Sequence, residues 1–150
     1  MKTRKTILVA EDNPDDVFLL KRAFTHARVN AGVEFVEDGE DVIEYLKSGK
    51  RPAPPRRRPF PSLLLLDLKM PRMDGFDVLD WVRRQPGMKR MLIVVLTSSS
   101  EPRDVNRAYD LGANSFLCKS TYENLTGLVQ KINEYWLEVN ESPECVSTDA

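Results

Sequence analysis

Four apolar runs in this sequence each stop at a residue able to handle charge. ILVA at 7–10 meets Glu11 and Asp12, LLLL at 63–66 meets Asp67, LIVVL at 92–96 meets Thr97, and SFLC at 115–118 meets Lys119. Singly, each reads as a surface acid or an ordinary salt-bridge partner at a strand end. Taken together they describe a site. Three carboxylates drawn to one place repel, and a divalent cation removes the conflict. Oxygen donors too few to enclose an ion favour Mg²⁺ with several retained waters over a structural Ca²⁺ or a thiolate-bound metal. Such a cation accepts phosphate as a further ligand. Lys119 then suits a phosphoryl group as a point charge, and the Thr97 hydroxyl as a hydrogen-bond donor. Asp67 is the expected nucleophile, attacking phosphorus to give an acyl phosphate. The cation and Lys119 would offset the charge that builds on the transferring oxygens.

Something must bring these residues together. The four runs, with VEFV at 33–36, are strand-length. Their near-continuous hydrophobicity fits a parallel sheet covered on both faces, with the second run the most exposed. Helical spacing fills the intervals. Asn13 and Pro14 supply a cap and a first-turn proline before Val17, Leu20, Ala23, Phe24 and Ala27. Val42, Ile43 and Leu46 mark a second helix closed by Gly49. Val78, Leu79 and Val82, with Trp81 nearby, mark a third ending at Pro86, and Val105, Ala108 and Leu111 a fourth ending at Gly112. Ser120 and Glu123 have capping-box spacing ahead of Leu125, Leu128, Val129, Ile132, Trp136 and Val139. Five β–α repeats with right-handed crossovers predict a doubly wound α/β sheet. In such folds ligands bind at the carboxyl ends of the strands, where all the residues above fall.

Composition sets the outer bounds. The chain has 150 residues, 41% hydrophobic and 30% charged, which suits one ordered domain and excludes disorder or a fibrous repeat. A net charge of −1 offers no field to draw it to nucleic acid or an anionic membrane. No apolar run approaches the roughly 20 residues of a membrane span, and MKTRKTILVAEDN turns acidic before any secretory core develops. A cytoplasmic protein is expected, with no nucleic-acid or membrane partner. Cys118 and Cys145 form no metal-ligand cluster and read as reduced residues of a strand and a tail. His26 reads as a structural or exposed histidine, and Trp81 and Trp136 as helix packing. RPAPPRRRP at 51–59 reads as a semi-rigid, solvated loop, with docking to an acidic partner the sharper alternative. The folded domain is expected over 1–141, followed by a flexible tail at 142–150.

The segments ILVAEDN, LLLLDLKMPRMDG, VVLTSSS and SFLCKS resemble, in order and spacing, the receiver domains of two-component response regulators. The resemblance spans roughly residues 5 to 140. It implies a flavodoxin-like sheet of strand order 2-1-3-4-5, with Asp67 accepting a phosphoryl group from a phosphohistidine of a sensor histidine kinase. It makes Asp12, Asp67 and the backbone carbonyl of Lys69 direct Mg²⁺ ligands, with Glu11 acting mostly through water. Thr97 would swing toward the phosphoryl group, Phe116 would follow as the aromatic of the switch, and Lys119 would contact phosphate. Lys69 and Ser99 occupy positions that tune acyl-phosphate lifetime in this family. Ser120 stands where the family usually has proline. The Lys119-Ser120 pair, the extended loop before the third strand and the ending EYWLE resemble stand-alone receivers associated with phytochrome histidine kinases in cyanobacteria.

The resulting expectation is a single-domain response regulator: a phosphoacceptor that assists its own phosphorylation and dephosphorylation rather than an enzyme. Phosphorylation would reshape the face of the fourth helix, fifth strand and fifth helix for a partner protein or a homodimer. Two rivals remain. One is a phosphorylation-independent interaction module, against which the intact acids, threonine and lysine count. The other is a metal-dependent phosphatase, which usually has a second acid two positions past the nucleophile, where this chain has Lys69.

Overall fold

The four leucines at 63–66 have to be covered on both faces, and the fold is arranged around doing so. The computed structural model describes residues 5–48, 60–121 and 124–145. Strands Thr6–Ala10 (β1), Gly32–Val36 (β2), Leu63–Leu66 (β3), Ile93–Thr97 (β4) and Ser115–Cys118 (β5) form one parallel sheet in the order β2-β1-β3-β4-β5. Helices Pro14–His26 (α1), Gly39–Ser48 (α2), Gly75–Arg84 (α3), Pro102–Asp110 (α4) and Leu125–Ile132 (α5) make the connections and the last layer. This is the doubly wound flavodoxin-like arrangement expected from the sequence.

Side chains of a strand alternate between faces, so each strand feeds two cores. Leu8, Ala10, Leu64, Leu66, Ile93 and Val95 pack with Val42, Leu46, Val78, Leu79, Val82 and Ala108 of α2, α3 and α4. Ile7, Val9, Leu63, Leu65, Val94 and Leu96 pack with Leu20, Ala23, Phe24, Leu128, Val129 and Ile132 of α1 and α5. β3 is wholly buried. The edge strands β2 and β5 are half-buried along their lengths, so the exposure expected of the second run is shared by the fifth. Trp81 and Trp136 are partly buried against the two cores, and His26 is exposed on the last turn of α1. Among the described residues no helix is long and apolar enough to cross a membrane.

The helix starts follow local chemistry. Asn13 caps α1, its side-chain oxygen accepting from the N–H groups of Asp15 at 2.9 Å and Asp16 at 3.2 Å. Asp74 and Asp77 form a capping box at α3. The last helix departs from expectation. Its cap is Asn124, which accepts from the N–H of Gly127 at 2.7 Å, whereas Ser120 sits in the 3₁₀ turn Lys119–Thr121. Glu123 lies outside the described residues, as do Gly49, the basic loop 51–59 and residues 146–150.

Beyond Ile132 the helix widens into a π-helical stretch, Asn133–Val139. An i→i+5 turn carries an extra residue past each contact point. Leu137 is therefore buried at 7% exposure and Val139 is 64% exposed, reversing the order expected from regular helical spacing. The chain then runs beneath the sheet. Ser142, Pro143 and Cys145 line a pocket with Phe60, Pro61, Met91 and Leu92, and Cys145 packs on the core beneath α2, α3 and α4. Ser142, Pro143 and Glu144 are exposed, and Cys145 is the half-buried residue that rests on the domain.

Arg83 joins α3 to the turns leading into β4 and β5. Its guanidinium donates to the carbonyls of Gly112 at 3.0 and 2.6 Å, Lys89 at 2.9 Å and Met91 at 2.7 Å, and to Asn114 Oδ1 at 3.1 Å. Replacement by Met would strand several of these acceptors, and an unsatisfied buried polar group costs about 1–3 kcal/mol. Arg83→Met is expected to lower unfolding free energy by about 2 kcal/mol in urea titration, and Arg83→Lys, lacking the planar fork, to recover little of it.

Candidate functional site

Parallel strands end at one edge, so residues that follow different strands meet without being near in sequence. The backbone ladder runs one residue past the strands, with Glu11 N–H donating to Val36 O at 3.0 Å and Asp67 N–H to Ala10 O at 3.1 Å. Ala10 pairs with Leu66, so the acids after them stand at the same height. Carboxylate oxygens of Glu11, Asp12 and Asp67 lie within 4.8 Å of one another. Glu11 and Asp67 are buried at 2% and 8% exposure, and Asp12 is exposed at the mouth. Lys119 arrives from β5 with its side chain 10% exposed. Its Nζ donates to Glu11 Oε1, lies 3.0 Å from Asp16 Oδ2, and stands 3.6 Å from Asp67 Oδ2.

Thr97, at the end of β4, is 1% exposed and lines a cleft with Asp67, Lys69 and residues Ser98 to Glu101. Among the described residues its hydroxyl oxygen accepts only a long contact, 3.5 Å, from the Ser99 N–H. Ser99 Oγ in turn donates to Asp104 Oδ2 at 2.7 Å in the first turn of α4. The Lys69 side chain is exposed, and its backbone N–H lies 3.4 Å from Asp67 Oδ1. Phe116, in β5, is half-buried against the core beneath α2, α3 and α4. The residues expected from sequence to share the site thus gather there, with Phe116 one layer behind.

The electrostatics match a cation site. Burial, opposed by the ammonium of Lys119 and reinforced by the charge of Asp67, holds the Glu11 carboxyl up at about 7 instead of the usual 4.5. For Lys119, burial pulls the ammonium down, but the carboxylates of Glu11, Asp67 and Asp16 more than offset it and hold the group above its ordinary value. One ammonium therefore faces an excess of acid. Three hard oxygen donors, one exposed, with nothing on the solvent side to complete a cage, fit a divalent ion that keeps waters of its own.

Several supporting residues had no clear mark in the sequence. Gly75 N–H donates to Leu68 O at 2.9 Å, and a Cβ at Gly75 would stand 2.4 Å from Asp67 O, so only glycine lets α3 approach the acid's backbone. Arg72 has φ of 63°, a left-handed conformation costing a non-glycine residue roughly 1 kcal/mol. Its guanidinium is tied to fully buried Asp38, before α2. Burial would raise the Asp38 carboxyl, but the Asp41 N–H and Arg72 hold it below its usual range. Gly39 N–H completes the link, donating to Met73 O at 3.0 Å. Asp16 reads in sequence as a first-turn acid favoured by the helix dipole; its ion pair with Lys119, 103 residues away, follows from topology alone.

Comparison with known proteins adds a family. The response regulator receiver domain model matches residues 7–133. Response regulator Rcp1 of Synechocystis sp. is 34% identical over 141 residues, 93% of either chain. The probable methanogenesis regulatory protein FilR2 of Methanothrix harundinacea is 36% identical over 138 residues, 91% of this chain and 86% of its own. The phosphorylated cyanobacterial phytochrome response regulator RcpA superposes with a TM-score of 0.81 at 32% identity, over 95% of this chain and all of that one. The Mn²⁺-bound form of Rcp1 superposes with a TM-score of 0.78 at 32% identity, over 93% and 99%.

The raised Glu11 value has a signed consequence. Folding favours its protonated form, so this contribution is present in full below about pH 4.5 and is lost as pH rises through about 7. In EDTA the thermal midpoint is expected to fall between about pH 5 and pH 8 by more than in Glu11→Gln. Millimolar Mg²⁺ should raise the wild-type midpoint more at the upper pH than at the lower, as read by scanning fluorimetry.

Proposed function

Since the chain belongs to the response regulator receiver family, we propose that it works as a single-domain response regulator with Asp67 as phosphoacceptor and Mg²⁺ held by Glu11, Asp12 and Asp67. The observation that carries this reading is the meeting of three carboxylates within 4.8 Å, with Lys119 3.6 Å from Asp67 and Thr97 in the same cleft. The donor is the phosphohistidine of a sensor histidine kinase. Likeness to RcpA favours a phytochrome-type kinase, and the lack of a membrane-length helix among the described residues favours the cytoplasm.

An Asp67 carboxylate oxygen attacks phosphorus as the P–N bond of the donor breaks. The bonding pair leaves on the imidazole nitrogen, which takes its proton from solvent, so no general acid is required of the cleft. When bound, Mg²⁺ supplies positive charge for the phosphoryl oxygens, with the Lys69 carbonyl as a further ligand. Lys119, whose Nζ stands 3.6 Å from Asp67 Oδ2, pairs with the transferred group. Thr97 turns its hydroxyl to the phosphoryl oxygens, a move that gives up the long 3.5 Å contact from Ser99. Phe116 follows inward, and the surface of α4, β5 and α5 changes. Exposed Tyr109 and Tyr135 lie on that surface, which meets a partner protein or a second copy of the chain. Hydrolysis returns Asp67 to its carboxylate, with Lys69 and Ser99 flanking the approach of water.

Incubation with Mg²⁺ and acetyl phosphate is expected to add the mass of one phosphoryl group, and Asp67→Asn or EDTA to abolish the gain. Failure to label from both acetyl phosphate and a histidine kinase would overturn the assignment. Thr97→Ala should still accept the group but lose most of the phosphorylation-dependent change at Tyr109 and Tyr135, followed by tyrosine fluorescence or NMR.

A further inference from the structure

Lys119 is shared among three acids, but unequally. Its Nζ donates to Glu11 and to Asp16, at 3.0 Å, and stands 3.6 Å from Asp67, beyond an ordinary hydrogen bond. Glu11 and Asp67 are also the buried members of the carboxylate group suited to a cation, whereas Asp16 lies outside that group. Among the described residues, Asp16 is therefore the acid in contact with Lys119 that a bound cation does not claim.

Its placement is specific. Asn13 takes the N–H of Asp16 on its side-chain oxygen at 3.2 Å and gives its own N–H to Glu11 Oε2 at 3.2 Å. One residue thereby fixes the backbone at Asp16 and orients the Glu11 carboxylate, and the two acids approach Lys119 from the β1–α1 turn. The Asp16 side chain is 32% exposed, against 10% for Lys119, so the pair is partly buried.

We propose that Asp16 is a positioning residue for Lys119: it tethers the ammonium to the start of α1, off the Asp67 carboxylate, so that Lys119 does not compete with the cation for Asp67 and stays poised for the phosphoryl group. The proposal rests on Asp67 as the phosphoacceptor. A cation engaging Glu11 weakens that acid's hold on Lys119, and without Asp16 the nearest remaining acid is Asp67. Pairing there would blunt the nucleophile and oppose the metal.

The test is a double-mutant cycle read by Mg²⁺ titration calorimetry and by the initial rate of labelling from acetyl phosphate. Asp16→Asn is expected to weaken Mg²⁺ binding and slow labelling by about threefold to tenfold each, the scale of one partly screened ion pair. Asp16→Glu should recover most of both. In a Lys119→Gln background, Asp16→Asn should change Mg²⁺ affinity by less than about twofold, because no ammonium remains to be tethered. An undiminished loss there would show that Asp16 acts only through its field and would overturn the tether, as would a fully wild-type Asp16→Asn. If the wild-type protein neither binds Mg²⁺ nor takes label, the phosphoacceptor reading fails first. If it does both, the outcome bears on Asp16 alone.

Discussion

Like charge confined to one rim of the sheet is the constraint on which this molecule turns. Two neighbouring strands in fixed register deliver Glu11, Asp12 and Asp67 to a common height, with their oxygens within 4.8 Å. Unit charges at that spacing repel by about 3 kcal/mol where the effective dielectric constant is near 20. That is a sizeable part of the roughly 5–15 kcal/mol by which a domain is stable. The fold carries it because β1 and β3 are buried on both faces and bonded on both edges, so the acids cannot relax apart. Lys119 relieves part of the repulsion and leaves a deficit of positive charge that a divalent cation would fill.

Around this fixed point the surroundings divide into a stiff half and a yielding half. The loop after Asp67 is pinned by the close approach of Gly75, by the left-handed turn at Arg72 and by that residue's tie to buried Asp38. The backbone around Asp67 is therefore held in place from several sides. Across the cleft, the backbone of Thr97 is fixed in β4 beside Cys118, while its hydroxyl takes only a long contact from the Ser99 N–H among the described residues. The loop beyond is tied to α4 by the 2.7 Å bond from Ser99 to Asp104, so the freedom on this side lies in the Thr97 side chain.

Much of this was legible in the sequence, for identifiable reasons. Short unbroken apolar runs such as LLLL, bounded by turn signals, suit strands buried on both faces, and the first polar residues after four of the five runs meet at one edge. Asn13 before Pro14 announced α1 because capping is local. What escaped depended on distance in sequence or on shape. The Asp16 partner of Lys119, the Arg72 partner of Asp38 and the carbonyls gathered by Arg83 are set by topology, and no local spacing encodes them. The start of α5 was misplaced because Ser120 and Glu123 satisfy a capping pattern that Asn124 fulfils instead. The face of the same helix was misjudged beyond Ile132 because regular periodicity cannot anticipate a π turn.

The run from that wide turn to Cys145 ties the two layers together. Leu137 belongs to the core shared by α1 and α5, yet eight positions later Cys145 rests on the core of the opposite face. Arg90, ahead of β4, holds the crossing through the carbonyl of Glu144. Movement of the closing helix on its own side therefore pulls on a contact made with the other. Mechanically, the last strap of chain is a stitch at the hem of the sheet, a contact through which loosening of one hydrophobic layer is felt by the other.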